Sequence, residues 1–169
     1  MKLNIGSCDL PLPQSEGWVN IDNSLSPHIK ADLILDAREL EDYFGQNAAD
    51  EIYAGHFVEH LTTPEAEDWI AMCYRVLKPG GIFGFVTPDF RYISERYLAG
   101  DPKFNISELE ETYLYSWKQE SRHASIWDLE RQKSILVRNR FTDVQEIDRM
   151  KDDRLAYPAM WQCGTEGKK

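Results

Sequence analysis

Short apolar runs separated by polar turns recur along the first hundred residues, and their spacing predicts strands. Lys2–Ile5 ends at Gly6. Trp18–Asp22, Asp32–Asp36 and Glu51–Ala54 follow, the last ending at Gly55. Ile82–Val86 is the clearest run, launched by Pro79-Gly80-Gly81 and stopped by Pro88. Between the fourth and fifth runs the period lengthens. Thr63 suits a helix N-cap and Pro64 the first helical position, with Glu65, Glu67 and Asp68 at the positive end of the dipole. Trp69, Cys73, Val76 and Leu77 then share one face. Asp89–Leu98 reads as another helix, closed by Gly100. Further on, helices are expected at Ser107–Lys118 and Asp128–Val137, and strands at Phe141–Ile147 and around Met160–Thr165. Strand–helix alternation followed by two late strands argues for an α/β sheet with mostly parallel strands.

Composition narrows the partners. The 169 residues fit one domain with a real core. Net charge is −10, which argues against a partner held by phosphate neutralisation. The imbalance sits in residues 1–100, with 7 basic and 16 acidic groups; residues 101–169 carry 12 and 13. A basic face built from Arg131, Lys133, Arg138 and Arg140 therefore stays open. No apolar run approaches the roughly 20 residues of a membrane span. The N-terminus lacks the apolar stretch of a signal peptide, so a cytoplasmic location is expected. Cys8, Cys73 and Cys163 are far apart and form no metal spacing; reduced thiols and no bound metal are expected.

In a parallel sheet, ligands sit beyond the carboxyl ends of the strands. That rule singles out Gly6–Asp9, Asp22, Asp36, Gly55–His60 and Thr87–Phe90. Gly6 lets backbone approach a ligand or simply makes a turn. Neither GxGxxG nor GxxxxGK[ST] occurs, which removes the main support for a dinucleotide or triphosphate. Asp22 can accept from a ribose diol or hold a turn with Asn23 and Ser24. Asp36 can accept from an exocyclic amine or cap the Ala37–Phe44 segment. His56 and His60 would share a face if helical. A metal pair, a structural hydrogen bond and a base are the alternatives there. The five tryptophans suit core and edge packing.

Two stretches carry a resemblance: Tyr53-Ala54-Gly55-His56-Phe57-Val58-Glu59-His60-Leu61 and Arg75-Val76-Leu77-Lys78-Pro79-Gly80-Gly81, the latter followed by a strand and Thr87-Pro88-Asp89-Phe90. With Asn4-Ile5-Gly6-Ser7 and Gly17-Trp18-Val19-Asn20-Ile21-Asp22, the chain resembles the class I S-adenosylmethionine-dependent methyltransferases of the type 11 group. The likeness runs from about Leu3 to Phe90. It implies a Rossmann-like, seven-stranded or slightly reduced sheet, mostly parallel, with an antiparallel last strand and helices on both faces. It also implies a short form lacking N-terminal cap helices, with residues 1–100 as the cofactor-binding part and 101–169 supplying acceptor-side helices and the last two strands. By the same likeness Gly6, Ser7 and Cys8 run along the methionine part of S-adenosylmethionine. Asp22 and Asn23 serve the ribose, Asp36 and Ala37 the adenine, and Gly55 and His56 the transferable methyl.

The family's longer glycine pattern is reduced here to Gly6-Ser7-Cys8, and Pro11, Pro13 and Gly17 leave little room for the usual helix after strand one. His56 is the first candidate for contact with the acceptor, and His123, ahead of Trp127-Asp128, the second. Arg91, Tyr92, Arg96 and Arg122 are candidate lining. The favoured acceptor is a sugar, glycan or other small hydroxyl-bearing molecule, by family analogy. A cofactor-binding scaffold that needs a partner is the alternative, and a protein or nucleic-acid methyltransferase a lesser one. An exposed cofactor site leaves room for a homodimer.

Overall fold

The computed structural model describes residues 1–8, 10–107, 110, 122–155 and 159–169. Among these, seven strands form one sheet: β1 (Lys2–Ile5), β2 (Trp18–Asp22), β3 (Leu33–Ile34), β4 (Ala49–Gly55), β5 (Leu77–Pro88), β6 (Thr142–Glu146) and β7 (Gln162–Lys168). Their order is β3-β2-β1-β4-β5-β7-β6. The first five are parallel, and β7 runs antiparallel to both β5 and β6. The helices are α1 (Leu40–Phe44), α2 (Thr63–Val76), α3 (Phe90–Leu98) and α4 (Leu129–Arg138).

Alternation along β4 sets the two faces of the sheet. Ile52 and Ala54 join the main apolar layer, where Leu40 of α1, Trp69, Ile70 and Cys73 of α2, and Ile135 and Leu136 of α4 meet Phe83 and Phe85 of β5. Tyr53 joins a smaller cluster with Trp18, Val86 and Ile147, against which Leu12 and Leu155 pack. On that second face Asn4 and Asn20 are in register. The Asn4 amide donates to Asn20 Oδ1 at 2.9 Å, and Asn20 Nδ2 donates to the Leu12 carbonyl at 3.0 Å. The segment after β1 is thus pinned by an asparagine rather than by the helix that usually follows a first strand.

Several boundaries differ from expectation for local reasons. The third strand is only two residues long. Asp32, though exposed, accepts from the Asn20 N–H at 2.8 Å, and Asp36 caps the 3₁₀ turn Ala37–Glu39. The N-cap of α2 is Thr62, not Thr63; its N–H donates to the Glu65 carboxylate at 2.8 Å. Asp89 and Asp128 are the caps of α3 and α4 rather than their first helical residues. β5 begins irregularly at Leu77 before its regular ladder from Ile82. The last strand runs later than expected, to Lys168. Most of the expected Ser107–Lys118 helix lies outside the described residues. No helix among the described residues is long and apolar enough to cross a membrane.

Candidate functional site

The strand order reverses its direction of growth at β1 and β4, so a crevice opens beyond their carboxyl ends. Gly6 leaves β1 with φ 67°, and a side chain there would press on Phe57, whose Cβ lies 3.2 Å from the position of an added Cβ. The Gly6 and Ser7 N–H groups donate to the Ile21 carbonyl at 2.9 and 3.2 Å. Ser7 is buried, and its Oγ has no hydrogen-bond partner among the described residues. Cys8 is exposed and left-handed at φ 48°. Its N–H donates to Asp22 Oδ2 at 3.1 Å, while Asp22 Oδ1 accepts from Ser24 N–H at 2.9 Å. Asp22 therefore holds its turn, yet a carboxylate has about four acceptor positions, so this leaves capacity for a diol. Asn23 stands exposed beside it.

Asp36 is more committed. Its carboxylate takes the Arg38 N–H at 2.9 Å and pairs with the Arg38 guanidinium at 2.6 Å. That bond holds its carboxyl below the usual range despite partial burial. The Ala37 carbonyl is held by Trp69 Nε1 at 2.9 Å. The capping alternative for Asp36 is the one realised, and an adenine would be met beside it rather than through an idle carboxylate.

At the end of β4, His56 adopts a left-handed backbone, φ 54°, and its N–H donates to the Val86 carbonyl at 2.9 Å. Its Nδ1 lies 3.0 Å from Glu59 Oε1 and its Nε2 3.0 Å from Gln162 Oε1. Trp161 packs near the ring at a centroid separation of 5.4 Å. Burial works against the charged imidazole, but the Glu59 bond and charge and the Gln162 bond outweigh it, and the His56 pKa is raised. Burial likewise opposes the Glu59 charge, yet the bond and charge of His56 hold that carboxyl below its ordinary value. The His56 ring is thus held between a buried carboxylate and the Gln162 amide.

The segment is not the helix that would have set His56 and His60 on one face. Val58–His60 is a single 3₁₀ turn, and His60 meets His123 instead, at a ring separation of 5.0 Å. Both histidines singled out for acceptor contact, His56 and His123, thus gather around Glu59. Burial holds the His123 pKa below the ordinary imidazole value, against the pull of the Glu59 charge.

Of the other candidates, Tyr92 lies under Arg96 and Arg149. Arg96 pairs with Asp101 at 2.9 Å, and Arg91 is exposed. Arg131 covers the Trp127 ring at 4.3 Å, and Arg138 approaches Glu67 at 3.8 Å, so two members of the expected basic face are engaged within the chain. Gln162 escaped sequence reasoning: it lies 106 positions from His56, with no local pattern to mark it. Two concave surfaces, one along β6 and β7 and one beside Trp18 and Arg154, do not reach Gly6, Asp22 or His56.

Comparison with known proteins agrees with this fold. Residues 19–85 match the methyltransferase domain family. No curated protein sequence matches the chain. Among solved structures, the chain is similar to a SAM-dependent methyltransferase from Archaeoglobus fulgidus, with a TM-score of 0.66 and 17% identity over 99% of this chain and 85% of that one. It is similar to 1,6-didemethyltoxoflavin-N1-methyltransferase from Burkholderia thailandensis, solved with bound 1,6-didemethyltoxoflavin and S-adenosylhomocysteine (TM-score 0.61, 11% identity, 99% and 70% covered). It also resembles phosphoethanolamine N-methyltransferase 2 from Haemonchus contortus, solved with S-adenosylmethionine, at TM-score 0.62 and 15% identity; 99% of this chain aligns with 48% of that one. Residues 19–85 carry a methyltransferase-domain sequence, and the chain has the fold of the class I S-adenosylmethionine-dependent methyltransferases.

Proposed function

We propose that the chain is an S-adenosylmethionine-dependent methyltransferase acting on a small hydroxyl-bearing acceptor, a sugar or glycan being the favoured class. The observation that carries this reading is Asp22. Its carboxylate stands at the end of β2, beside the β1–β4 crevice, with acceptor capacity beyond its two backbone bonds. Ser7 Oγ supplies a buried hydroxyl lacking a partner among the described residues, and Gly6 lets Phe57 approach the loop closely. These residues fit a cofactor that carries a ribose and a sulfonium and no phosphate, and the acidic first part suits a cation. When bound, that cofactor supplies an electrophilic methyl group.

The chain's own residues then have distinct tasks. Gly6, Ser7 and Cys8 line the methionine part, Asp22 and Asn23 hold the ribose, and Asp36 with Ala37 borders the adenine. Gly55 and His56 stand where the acceptor must be aligned, and alignment is the main contribution an enzyme makes to such a displacement. His56 orients the acceptor oxygen, which replaces the Gln162 contact, and with Nε2 unprotonated it takes the proton the hydroxyl loses as its oxygen bonds the methyl, while Glu59 at Nδ1 holds the resulting imidazolium. His123 contributes through Glu59 and His60. Residues 1–100 form the cofactor part and 101–169 complete the acceptor side of one domain. A cytoplasmic location and a homodimer complete the proposal.

Calorimetric titration of S-adenosylmethionine and S-adenosylhomocysteine tests the reading, with Asp22→Ala alongside. Saturable binding lost in the variant supports it and justifies a hydroxyl-acceptor screen. No binding by the native chain overturns it in favour of a scaffold role.

A further inference from the structure

The turn after β4 and the segment leading to α4 are held together by backbone. The Glu59 carbonyl accepts the Ala124 N–H at 2.7 Å and the Ser125 N–H at 3.1 Å, and His60 Nδ1 lies 3.3 Å from the Arg122 carbonyl. This clamp brings Glu59, His60 and His123 together, and one donor atom from each lies within 4.8 Å of the other two. Glu59 is only 1% exposed, and its Oε2 has no hydrogen-bond partner among the described residues. A buried carboxylate oxygen left without a partner is costly, which is hard to account for unless something meets it.

We propose that Glu59, His60 and His123 form a binding site for a divalent transition-metal ion of the zinc type. Two imidazoles and one carboxylate are a donor set such ions accept, and three protein ligands leave a position open for water or an acceptor oxygen. A carbonyl can only accept, so His60 Nδ1 carries the proton and Nε2 keeps its lone pair for a metal. The Arg122 carbonyl is then the outer partner that orients the ring, and His56 does the same for the Glu59 carboxylate through Oε1. A tetrahedral ion with bonds of about 2.0–2.1 Å sets its donors roughly 3.3 Å apart, so small side-chain rotations close the set. Magnesium, which demands oxygen ligands, does not suit it. The site is assembled from two chain segments, which is why no metal spacing occurs in the sequence.

The test uses the full chain without an affinity tag, stripped with chelator and titrated with Zn²⁺ and with Co²⁺ in the absence of S-adenosylmethionine. The expected result is saturable zinc binding, and cobalt d–d absorption of a low-coordinate nitrogen–oxygen site. His60→Ala and His123→Ala each weaken zinc binding about tenfold or more, while His28→Ala, at the exposed remaining histidine, leaves it unchanged. No binding by the native chain overturns the site. So does undiminished binding in both His60→Ala and His123→Ala, or equal loss in His28→Ala. Because the cofactor is absent, failure here is separate from failure of the methyl-transfer reading.

Discussion

The backbone N–H of Cys8 donates to Oδ2 of Asp22 at 3.1 Å, which ties the turn after β1 to the end of β2. Asp22 thus serves the fold before it serves any ligand. Asp22→Ala is expected to cost about 1 kcal/mol of stability through the lost turn bonds and to weaken S-adenosylhomocysteine binding about tenfold or more, equivalent to roughly 1.4 kcal/mol. Asp22→Asn, which keeps a carbonyl oxygen, recovers most of the stability and less of the affinity. Thermal unfolding and calorimetry on the same samples separate the two effects.

Trp69 ties α2 to the 3₁₀ turn at Ala37. Its Nε1 holds the Ala37 carbonyl at 2.9 Å and its ring meets Phe57 at 4.9 Å. Trp69→Phe keeps much of the packing and removes the bond, for an expected loss of about 1–3 kcal/mol in urea unfolding. Trp69→Ala also opens a cavity, and about 3–5 kcal/mol is expected.

The His56–Glu59 pair predicts non-additivity. His56→Ala leaves a buried carboxylate without its cation and is expected to cost about 1–3 kcal/mol. Adding Glu59→Gln to that variant removes the uncompensated charge and restores part of the loss. Unfolding of both single variants and the double variant gives a coupling energy of about 0.5–3 kcal/mol. Simple additivity sinks the ion-pair assignment.

Arg154 gathers Glu51 at 2.9 Å, Glu166 at 2.7 Å and Asp152 on the second face of the sheet. Burial opposes the Asp152 charge, but the Arg154 bond and charge prevail and hold its carboxyl below the ordinary 3.8. A lowered folded-state value means stability fully present above the ordinary pKa and lost as pH falls through the lowered one. The gap in urea midpoint between the native chain and Asp152→Asn is therefore expected to be widest near neutrality and to narrow on acidification below about pH 4. A gap that widens at low pH contradicts the pairing.

Legibility in the sequence followed the range of the interactions. Trp18–Asp22 was readable to the residue because alternation and flanking turns are local, as were the lengths of α3 and α4 to within a residue of each end. The third strand was overestimated because Asp32 and Asp36 look like strand ends but bond to Asn20 and Arg38 instead. Glu59 was visible beside two histidines without a task, since Gln162, which meets His56, and His123, which nears Glu59, reach this turn only through the folded sheet and the 122–125 clamp. Long-range pairing, not propensity, decided the site.

The close approach of Gly6 and Phe57 joins the two loops across the crevice. Phe57 heads the turn that carries Glu59 and His60, so whatever lifts its ring displaces those groups as well. A ligand on the first loop that shifted Phe57 would carry a coupling free energy to any ligand of the histidine cluster. Thermodynamic reciprocity requires each ligand to change the other's affinity by the same factor. The absent side chain of one glycine is thereby the point of contact between the turn after β1 and the turn after β4.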